Sequence, residues 1–572
     1  MIDDVYEPLA RYRDEFREKF SRLAREKFQA LTEASGIDVA ANRRLVAEIQ
    51  QVARQARVQR CRKLCFGWLM ALGFLGGIAA IAAAFLVCAD THETMGSWVA
   101  GGVAGLAFGI VMVPFFRQAA RRLARLEEVV GQKTKVAWEQ LEPLNRLYAW
   151  DLTVGLIEAT VPRLAFDPYF TRGRLELLRA QFGWSDGFND GKSVLFAQSG
   201  AINGNPFVFG QYREMEWGEK TYVGTKQISW TEWETGEDGK RRAVRRCETL
   251  SASVTKPIPV YSEHKVLVYG NEAAPALSFS REPSGLDGNG ANLFGKLKKR
   301  WRLNRLRAYS RDLTDDSDFT LMGNHEFETW FHAKDRDNEV EFRLLFTPVA
   351  QAQMLQLMKD REVGYGDDFS FVKSKKINVL RSRHLDRAVI DTDPARFRHW
   401  DYDAALSNFI RFNERYFKDA YFALAPLLAI PLYQQTRTRE ELWQGVLARR
   451  EASFWEHEAI ANYYGEERFR HPNSITSNLL KTQVARCANG ESVIRVTARG
   501  YRGEERVEYK EAFGGDGRCH RVAVRWTEYL PVERTSEMCL TEKPMPSDDF
   551  RRSAEAAALS VARRSILSYL RR

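Results

Sequence analysis

The sequence predicts an α+β membrane protein, with a two-helix transmembrane hairpin, N-terminal helices and β-rich cytoplasmic domains. Two runs without a charged residue, 64–89 and 95–116, are each long enough to cross a bilayer as a helix. From Gly183 onward, segments rich in β-branched and aromatic residues replace the helical periodicity. The chain has 572 residues, more than one hydrophobic core supports, so several domains are expected.

Residues 1–63 are predicted to be a cytoplasmic helical region, because apolar residues recur on one helical face between charges. Tyr12, Phe16 and Phe20 begin this stripe. Ser35-Gly36 interrupts it before it leads into the first uncharged run. The acidic start of the chain does not fit a secretory signal peptide.

A five-residue linker, 90–94, joins the uncharged runs, so 64–116 is predicted to be a transmembrane helical hairpin. The linker carries acids and a histidine, whereas basic residues flank both outer ends: Arg57, Arg60, Arg62, Lys63, Arg117, Arg121, Arg122 and Arg125. The positive-inside rule then predicts a multi-pass membrane protein with both termini cytoplasmic. The alternative is a helical pair buried in a soluble protein.

Glycines recur at four-residue spacing in both uncharged runs, at Gly73 and Gly77 and at Gly101, Gly105 and Gly109. Small residues at this spacing allow two helix backbones to approach closely in a membrane. Neither run contains Lys, Arg, Asp or Glu, which a proton or ion pathway usually requires. The pattern therefore predicts an anchor and disfavours a transporter or pump.

The region 117–182 is predicted to be helical and cytoplasmic. Its first helix continues the second span to about Leu141, where Pro143 weakens it. Two arrangements remain open for the helical extensions of the spans. They could pair with each other as a stalk, or they could pack separately on the rest of the protein.

Residues 183–436 are predicted to form a β-rich cytoplasmic domain. A β-hairpin is expected over 221–254, with its turn at 237–240. The segment 339–346 is expected to be a further strand. Thr347 and the proline after it are a good N-cap and first-turn pair for a helix that follows.

Residues 437–572 are predicted to form a separate C-terminal α+β module. A helix is expected over 439–464, several strands over 475–540 and a final helix over 548–570. The apolar stretch 420–435, just before this module, contains two prolines. We interpret it as a buried connector, and a membrane-embedded segment is the alternative.

The middle of the chain carries a family resemblance. The residues that carry it are Glu326, Phe327, Glu328, Phe331, Asp335, Val340, Glu341, Phe342, Arg343, Leu345, Thr347, Pro348, Leu355 and the segment 369–379. Over roughly residues 1–400, the chain resembles a bacterial two-span membrane-protein family defined by a domain of unknown function, number three-one-three-seven. The resemblance implies a bacterial inner-membrane protein with a cytoplasmic domain that contains strands, and it transfers no catalytic residue. Segment 266–304 departs from the family pattern, and 437–572 lies outside it.

Motifs for cofactors and metals are incomplete. Residues 290–296 match the first part of a phosphate-binding loop, but Leu297 stands where a hydroxyl should reach magnesium. His325, Glu326 and His332 lack the spacing of a zinc protease. The seven cysteines form no CxxC pair, which indicates reduced thiols. No cofactor and no metal site is therefore predicted.

A dense basic run is the clearest candidate for surface binding. It consists of Lys296, Lys298, Lys299, Arg300, Arg302, Arg305 and Arg307, with Trp301 among them. Leucines and the tryptophan fall at helical spacing, which suits an interfacial helix on anionic lipid headgroups. A solvated basic helix or loop is the alternative. The net charge of +10 is also compatible with nucleic acid, which is the least favoured partner.

These patterns together predict a membrane-anchored, non-enzymatic interaction or scaffold protein. Its expected partners are the lipid bilayer, an unknown protein and a second copy of itself. The question of an enzyme stays open, because catalytic groups can converge from distant positions. A membrane-tethered hydrolase or modifying enzyme is the first alternative, and a nucleic-acid-binding membrane protein is the second.

Overall fold

The computed structural model describes residues 7–87, 92–235, 241–286, 320–434, 450–488, 490–543, 548–556 and 560–570. The chain divides into two compact units. We call Met1–Phe20, Trp150–Thr392 and Glu414–Arg572 the β unit, and Ser21–Ala149 with Asp393–Asn413 the helical unit. The β unit thus includes residues from both of the predicted segments 183–436 and 437–572.

Helices begin the chain, as the sequence predicts. α1 (Pro8–Arg11) leads through a π-helical turn, Tyr12–Phe16, into α2 (Arg17–Ser35). Gly36 follows α2 with a φ of +64°, a left-handed conformation that glycine adopts without a Cβ clash. Phe20 is buried between exposed charges, so the amphipathic pattern and the predicted break are confirmed.

Two antiparallel helices dominate the helical unit, α3 (Val39–Val87) and α4 (His92–Arg146). Each extends an uncharged run into charged sequence, and α4 passes through Pro143 before it ends. Polar contacts join the extensions at three levels: Arg60 to Glu127 at 2.6 Å, Lys133 to Glu48 at 2.5 Å and Asn42 to Gln140 at 3.3 Å. Of the two open arrangements, the structure has the paired stalk.

The region 117–182, predicted to be helical, contains one short strand after α4. A three-residue strand, β1 (Leu164–Phe166), lies between α5 (Leu152–Thr160) and α6 (Arg172–Phe182). It forms because its backbone pairs antiparallel with the strand that follows α6, a contact that helical periodicity does not reveal. Gly183 then ends α6 with a φ of +74°, at the position where the strand-rich sequence begins.

The first sheet has seven antiparallel strands. Besides β1 they are β2 (Lys192–Ile202), β3 (Asn205–Thr235), β4 (Arg241–Gly270), β5 (Ser278–Arg281), β6 (Phe369–Ser374) and β7 (Ile377–Ser382). Their order is β1-β2-β3-β4-β7-β6-β5. The hairpin predicted over 221–254 is confirmed as part of the longer β3–β4 pair. Its predicted turn, 237–240, lies outside the described residues.

Among the described residues, five helices interrupt and follow these strands: α7 (His325–Phe331), α8 (Glu339–Leu345), α9 (Pro348–Lys359), α10 (Arg383–Arg387) and α11 (Tyr402–Leu428). The Thr347 side chain accepts a hydrogen bond from the Ala350 N–H at 3.4 Å, so the predicted start of α9 is confirmed. Residues 420–430 are buried at the end of α11 and just beyond it. This burial supports the buried connector predicted over 420–435.

The strand predicted over 339–346 is wrong, because Glu339–Leu345 is the helix α8. Asn338 caps this helix, because its side chain accepts the Glu341 N–H at 3.0 Å. Phe342 and Leu345 are buried at a spacing of three residues, which is one helical face. A strand would instead place every second residue on the buried face.

The second sheet is formed by the C-terminal part of the chain. The elements there are α12 (Phe454–Tyr463), β8 (Leu479–Ala488), β9 (Glu491–Phe513), β10 (Cys519–Thr541), α13 (Asp548–Ala556), β11 (Ser560–Arg563) and β12 (Ile566–Leu570). The strand order is β11-β12-β10-β9-β8. The strands predicted over 475–540 are confirmed. α12 lies within the helix predicted over 439–464, whose first residues, to 449, are outside the described residues.

The final helix predicted over 548–570 is wrong beyond Ala556, because β11 and β12 form a hairpin. Arg564 and Ser565 turn the chain with φ values of +45° and +69°. β12 then pairs antiparallel with β10, with Tyr569 opposite Cys539, and so extends the second sheet. This long-range pairing outweighs the helical propensity of the segment.

α12 connects the two cores of the β unit. Trp455 and Ala459 pack with Val208 and Val266 of the first sheet. Ile460 and Ala461 belong to a second cluster with residues of β8, β9 and β10. One short helix therefore packs against both sheets, which explains why residues from both predicted segments share one compact unit.

Polar groups on α12 are buried with the apolar ones. Glu456 accepts the Phe170 N–H at 2.8 Å and lies 3.1 Å from the guanidinium of Arg564. Arg564 also donates to the carbonyl oxygen of Ala197 at 2.7 Å. The turn of the β11–β12 hairpin is thereby tied to α12, and each buried charge has a partner.

His457 is the next residue on α12 and is also buried. Burial, which disfavours the imidazolium, lowers its pKa from 6.5 to about 4. Its Nδ1 has no hydrogen-bond partner among the described atoms. The folded protein therefore holds His457 neutral at pH values where the unfolded chain protonates it.

The pH dependence of stability should reveal this buried imidazole. As pH falls below 6.5, His457 becomes protonated in the unfolded chain, whereas in the folded chain it stays neutral down to about pH 4. At pH 5 this should reduce the stability of the β unit by about 2 kcal/mol. The measurement is the thermal midpoint of the detergent-solubilised chain between pH 7.5 and pH 5. The midpoint of His457→Leu should decrease less over this range than that of the wild type.

The matched control is His325→Leu, because His325 is exposed. This variant should keep the pH dependence of the wild-type chain. Equal pH dependence of His457→Leu and the wild type would show that the buried imidazole does not titrate as described.

Candidate functional site: the apolar helical hairpin

α3 and α4 carry a large apolar surface that protein does not cover. Both helices are long and apolar enough to cross a membrane, and only 11% of each apolar window is buried. The exposed large apolar side chains are Leu64, Trp68, Leu69, Leu72, Leu75, Ile78, Phe85, Trp98, Val103, Phe108, Ile110, Val111 and Phe115. Water-soluble proteins rarely expose so large a contiguous apolar surface, which marks a site for lipid or for another protein.

The two ends of this surface carry residues typical of a membrane interface. At the outer end of the hairpin, the Lys63 ammonium lies 5.8 Å from the ring centroid of Phe116. Trp68 is 70% exposed near the same end, and Trp98 is 50% exposed near the linker. Tryptophans at both ends, with cations at one end, match the aromatic belts and basic flanks of membrane helices.

Glycines allow α3 and α4 to touch backbone to backbone. A Cβ atom on Gly73 would lie 2.9 Å from the carbonyl oxygen of Gly105 and 2.9 Å from the nitrogen of Gly109. A Cβ atom on Gly77 would lie 2.7 Å from the carbonyl oxygen of Gly102. Side chains essentially never approach so closely, so this contact requires glycine. We call these five glycines the glycine seam.

Gly101 is not part of the glycine seam, which corrects the sequence analysis. It is exposed, and a Cβ atom there would meet no atom within 4 Å. Gly102 takes its place, since a Cβ atom on it would lie 2.9 Å from the carbonyl oxygen of Gly77. The strict four-residue spacing missed Gly102, because a helix face repeats every 3.6 residues and alternates three- and four-residue steps.

Comparisons with other proteins do not help to interpret this surface. No protein-family model, no curated protein and no solved structure matches the chain. The family resemblance over residues 1–400 therefore stays a prediction.

Residues that carry this resemblance form part of a core. Phe331, Phe342 and Phe371 surround Phe279, with ring centroids 5.7, 5.6 and 5.2 Å away. The Arg336 guanidinium contacts the Glu328 carboxylate at 2.9 Å, and both side chains are almost fully buried. These residues stabilise the fold, and their contacts do not suggest a ligand.

The basic run lies outside the described residues, so its contacts remain a prediction. This applies to Lys296, Lys298, Lys299, Arg300, Trp301, Arg302, Arg305 and Arg307. The incomplete phosphate-loop match over 290–296 lies outside them as well.

One cluster has the residue types of a hydrolase triad. His384 Nδ1 lies 2.7 Å from the Asp368 carboxylate, and His384 Nε2 lies 3.4 Å from Ser382 Oγ. However, Ser382 and His384 are buried, and Ser382 Oγ accepts the Leu385 N–H at 3.3 Å as the cap of α10. The ring of Tyr365 stacks on His384 with centroids 4.2 Å apart. A substrate carbonyl cannot reach the hydroxyl in this arrangement, and the cluster instead fastens α10.

Other candidate chemical groups are dispersed. His325 and His332 lie at opposite ends of α7, and no group of three possible metal ligands occurs among the described residues. A cavity of about 500 Å³ lies beside α13, with Cys539, Phe550 and Tyr569 in its lining. Among the described residues of the lining, no histidine could activate the thiol. Neither feature assembles a catalytic site.

The glycine seam predicts the effect of a bulky residue at its centre. Gly105→Leu should force the helices apart, since its Cβ atom would already lie 3.1 Å from Gly77 Cα. We expect a loss of about 1–3 kcal/mol of helical-hairpin stability, as for overpacking elsewhere. The measurement is the thermal midpoint of helical circular dichroism in detergent.

Gly101→Leu is the matched control, because it adds the same side chain to the same helix where space is open. It should unfold like the wild type. Equal destabilisation by the two variants would mean that α3 and α4 do not meet at the glycine seam.

Proposed function

We propose that this chain is an integral protein of the inner (plasma) membrane, in which the α3–α4 hairpin is the anchor. The observation that carries this proposal is the exposed apolar surface of the two helices. In water that surface would cost roughly 25 cal/mol for each Å² exposed. Lipid removes this cost, and the polar linker and basic flanks then lie where water is available.

The dimensions of the hairpin support a complete crossing. The uncharged part of α3, 64–87, is about 36 Å long at ~1.5 Å per residue, and that of α4, 95–116, is about 33 Å long. Both lengths exceed the ~30 Å hydrocarbon core, so a modest tilt accommodates them. The cations at the outer ends favour an orientation with both outer ends in the cytoplasm.

In this proposal the β unit is a non-enzymatic interaction or scaffold module on the cytoplasmic side. Its two sheets share α12, and in the triad-like cluster the ring of Tyr365 stacks on His384. The bilayer is the first partner, and a protein is the second. Binding of anionic headgroups by the basic run over 296–307 remains a prediction, and nucleic acid remains the least favoured partner.

Reporter fusions test the orientation of the hairpin. Reporters fused at the N-terminus and after Arg125 should both be active in the cytoplasm, whereas one inserted at Thr91 should be active on the outer side. The physical reason is that a linker of five residues cannot return through the membrane. Activity on the outer side of a reporter at the N-terminus or after Arg125 would refute the proposed topology.

A further inference from the structure

Strands β3 and β4 continue together far beyond the first sheet. They pair without interruption from Phe207 opposite Tyr269 to Thr235 opposite Arg241. β2 accompanies β3 only as far as Glu214, and β7 accompanies β4 only over 267–270. We call the two-stranded extension, 215–235 with 241–266, the first ribbon.

Strands β9 and β10 form a similar extension from the second sheet. β8 accompanies β9 only as far as Arg499, and β12 accompanies β10 only from Met538. We call 500–513 with 519–537 the second ribbon.

The second ribbon covers one face of the first. Ile228 and Leu250 of the first ribbon form a cluster with Val522 of the second. The Lys256 ammonium also contacts the Glu508 carboxylate at 2.6 Å. The opposite face of the first ribbon is exposed, and it is rich in hydroxyl groups, which belong to Thr221, Thr225, Ser229, Thr231, Thr249, Ser251, Ser253 and Thr255. Only one face is therefore covered by the described residues.

The ribbons also have long strand edges, and most of these edges are protected. On β4, four cations and two prolines oppose pairing with a further strand: Arg241, Arg242, Arg245, Arg246, Pro257 and Pro259. Over 500–513, β9 carries seven charges: Arg502, Glu504, Glu505, Arg506, Glu508, Lys510 and Glu511. Such charges and prolines are the usual means by which proteins keep edges from pairing.

The edge of β3 lacks this protection. The eleven residues Thr221–Thr231 contain one charge, Lys226, and no proline. That lysine points toward the second ribbon, where its ammonium donates to the carbonyl oxygen of Arg521 at 3.3 Å. The rest of the segment is mainly β-branched, aromatic and hydroxyl residues, which favour strand pairing. Within the described residues, no strand pairs with this edge.

The sequence around Gln227 is complementary to itself in the antiparallel sense. When two copies of β3 are aligned antiparallel with Gln227 opposite Gln227, Lys220 of each copy lies opposite Glu234 of the other. These two pairs lie seven residues to either side of Gln227. The other facing pairs are Thr221 with Trp233, Tyr222 with Glu232, Val223 with Thr231, Gly224 with Trp230, Thr225 with Ser229 and Lys226 with Ile228. No like charges face each other, and opposite charges across strands stabilise a sheet.

We propose that the β3 edge of the first ribbon is a self-association site, which pairs antiparallel with the same edge of a second copy of this chain. The two-fold axis passes through Gln227, as in an isologous dimer. Residues of odd number then share one face of a continuous four-stranded sheet. The hydroxyl-rich faces of both copies form that surface, and the second ribbon of each copy lies behind it.

This assignment deepens the proposed interaction role of the β unit, and it does not depend on the anchor. Its failure would leave the apolar hairpin unaffected, since membrane insertion is measured separately. If the hairpin is not inserted in a membrane, the β3 edge is still available for pairing, wherever the chain is located.

The experiment uses the full chain in detergent, with its dimerisation constant measured by analytical ultracentrifugation over a dilution series. Lys220→Glu should weaken dimerisation about tenfold or more, because two attractive cross-strand pairs become repulsive. Adding Glu234→Lys to the same chain should restore wild-type dimerisation. Lys220 and Glu234 are about 46 Å apart along one strand, so the restored attraction has to act between copies.

Arg241→Glu is the control, because it makes the same change of charge on β4, away from the β3 edge. It should dimerise like the wild type. A wild-type chain that stays at its protomer mass of 65.7 kDa at every concentration would overturn the proposal. A dimer that Lys220→Glu does not weaken, or that Glu234→Lys does not restore, would overturn it as well.

Discussion

The backbone contact between α3 and α4 at the glycine seam is the interaction on which the helical unit depends. Apolar side chains surrounded by lipid gain nothing from hydrophobic burial, so two helices in lipid stay together through close packing. The glycines supply this packing and leave the larger apolar side chains on the outside of the pair, where they are exposed. Beyond the uncharged segments, ion pairs such as Arg60–Glu127 continue the same pairing.

In the β unit, α12 is the element on which the packing of the two sheets depends. Its apolar residues serve both sheets, and its buried Glu456 pairs with Arg564 from the last β-turn. Removing one partner of a buried ion pair leaves an uncompensated charge, so such pairs fix which elements can meet. The C-terminal hairpin is therefore an integral part of the unit, although it is formed by the last described residues of the chain.

Features that depend on local sequence could be predicted, and features that depend on distant pairing could not. The uncharged runs, the break at Gly36 and the cap at Thr347 each follow from a few neighbouring residues. The glycine seam was predicted except for Gly102, which a strict four-residue spacing excludes. The hairpin that replaces the predicted final helix turns at Arg564, where no glycine signals a left-handed conformation. Its second strand also pairs with β10, a partner that lies far away in the sequence.

Alkaline carbonate washing of membranes from cells that express the full chain tests most directly whether the α3–α4 hairpin is inserted in the bilayer. The wash releases proteins held by charge or by contacts with other proteins, and it leaves proteins that lipid surrounds. A variant without residues 64–116 is the matched comparison. We expect the full chain to stay in the membrane pellet and the variant to appear in the supernatant. Release of the full chain into the supernatant would contradict an inserted hairpin and would assign its apolar surface to a protein partner.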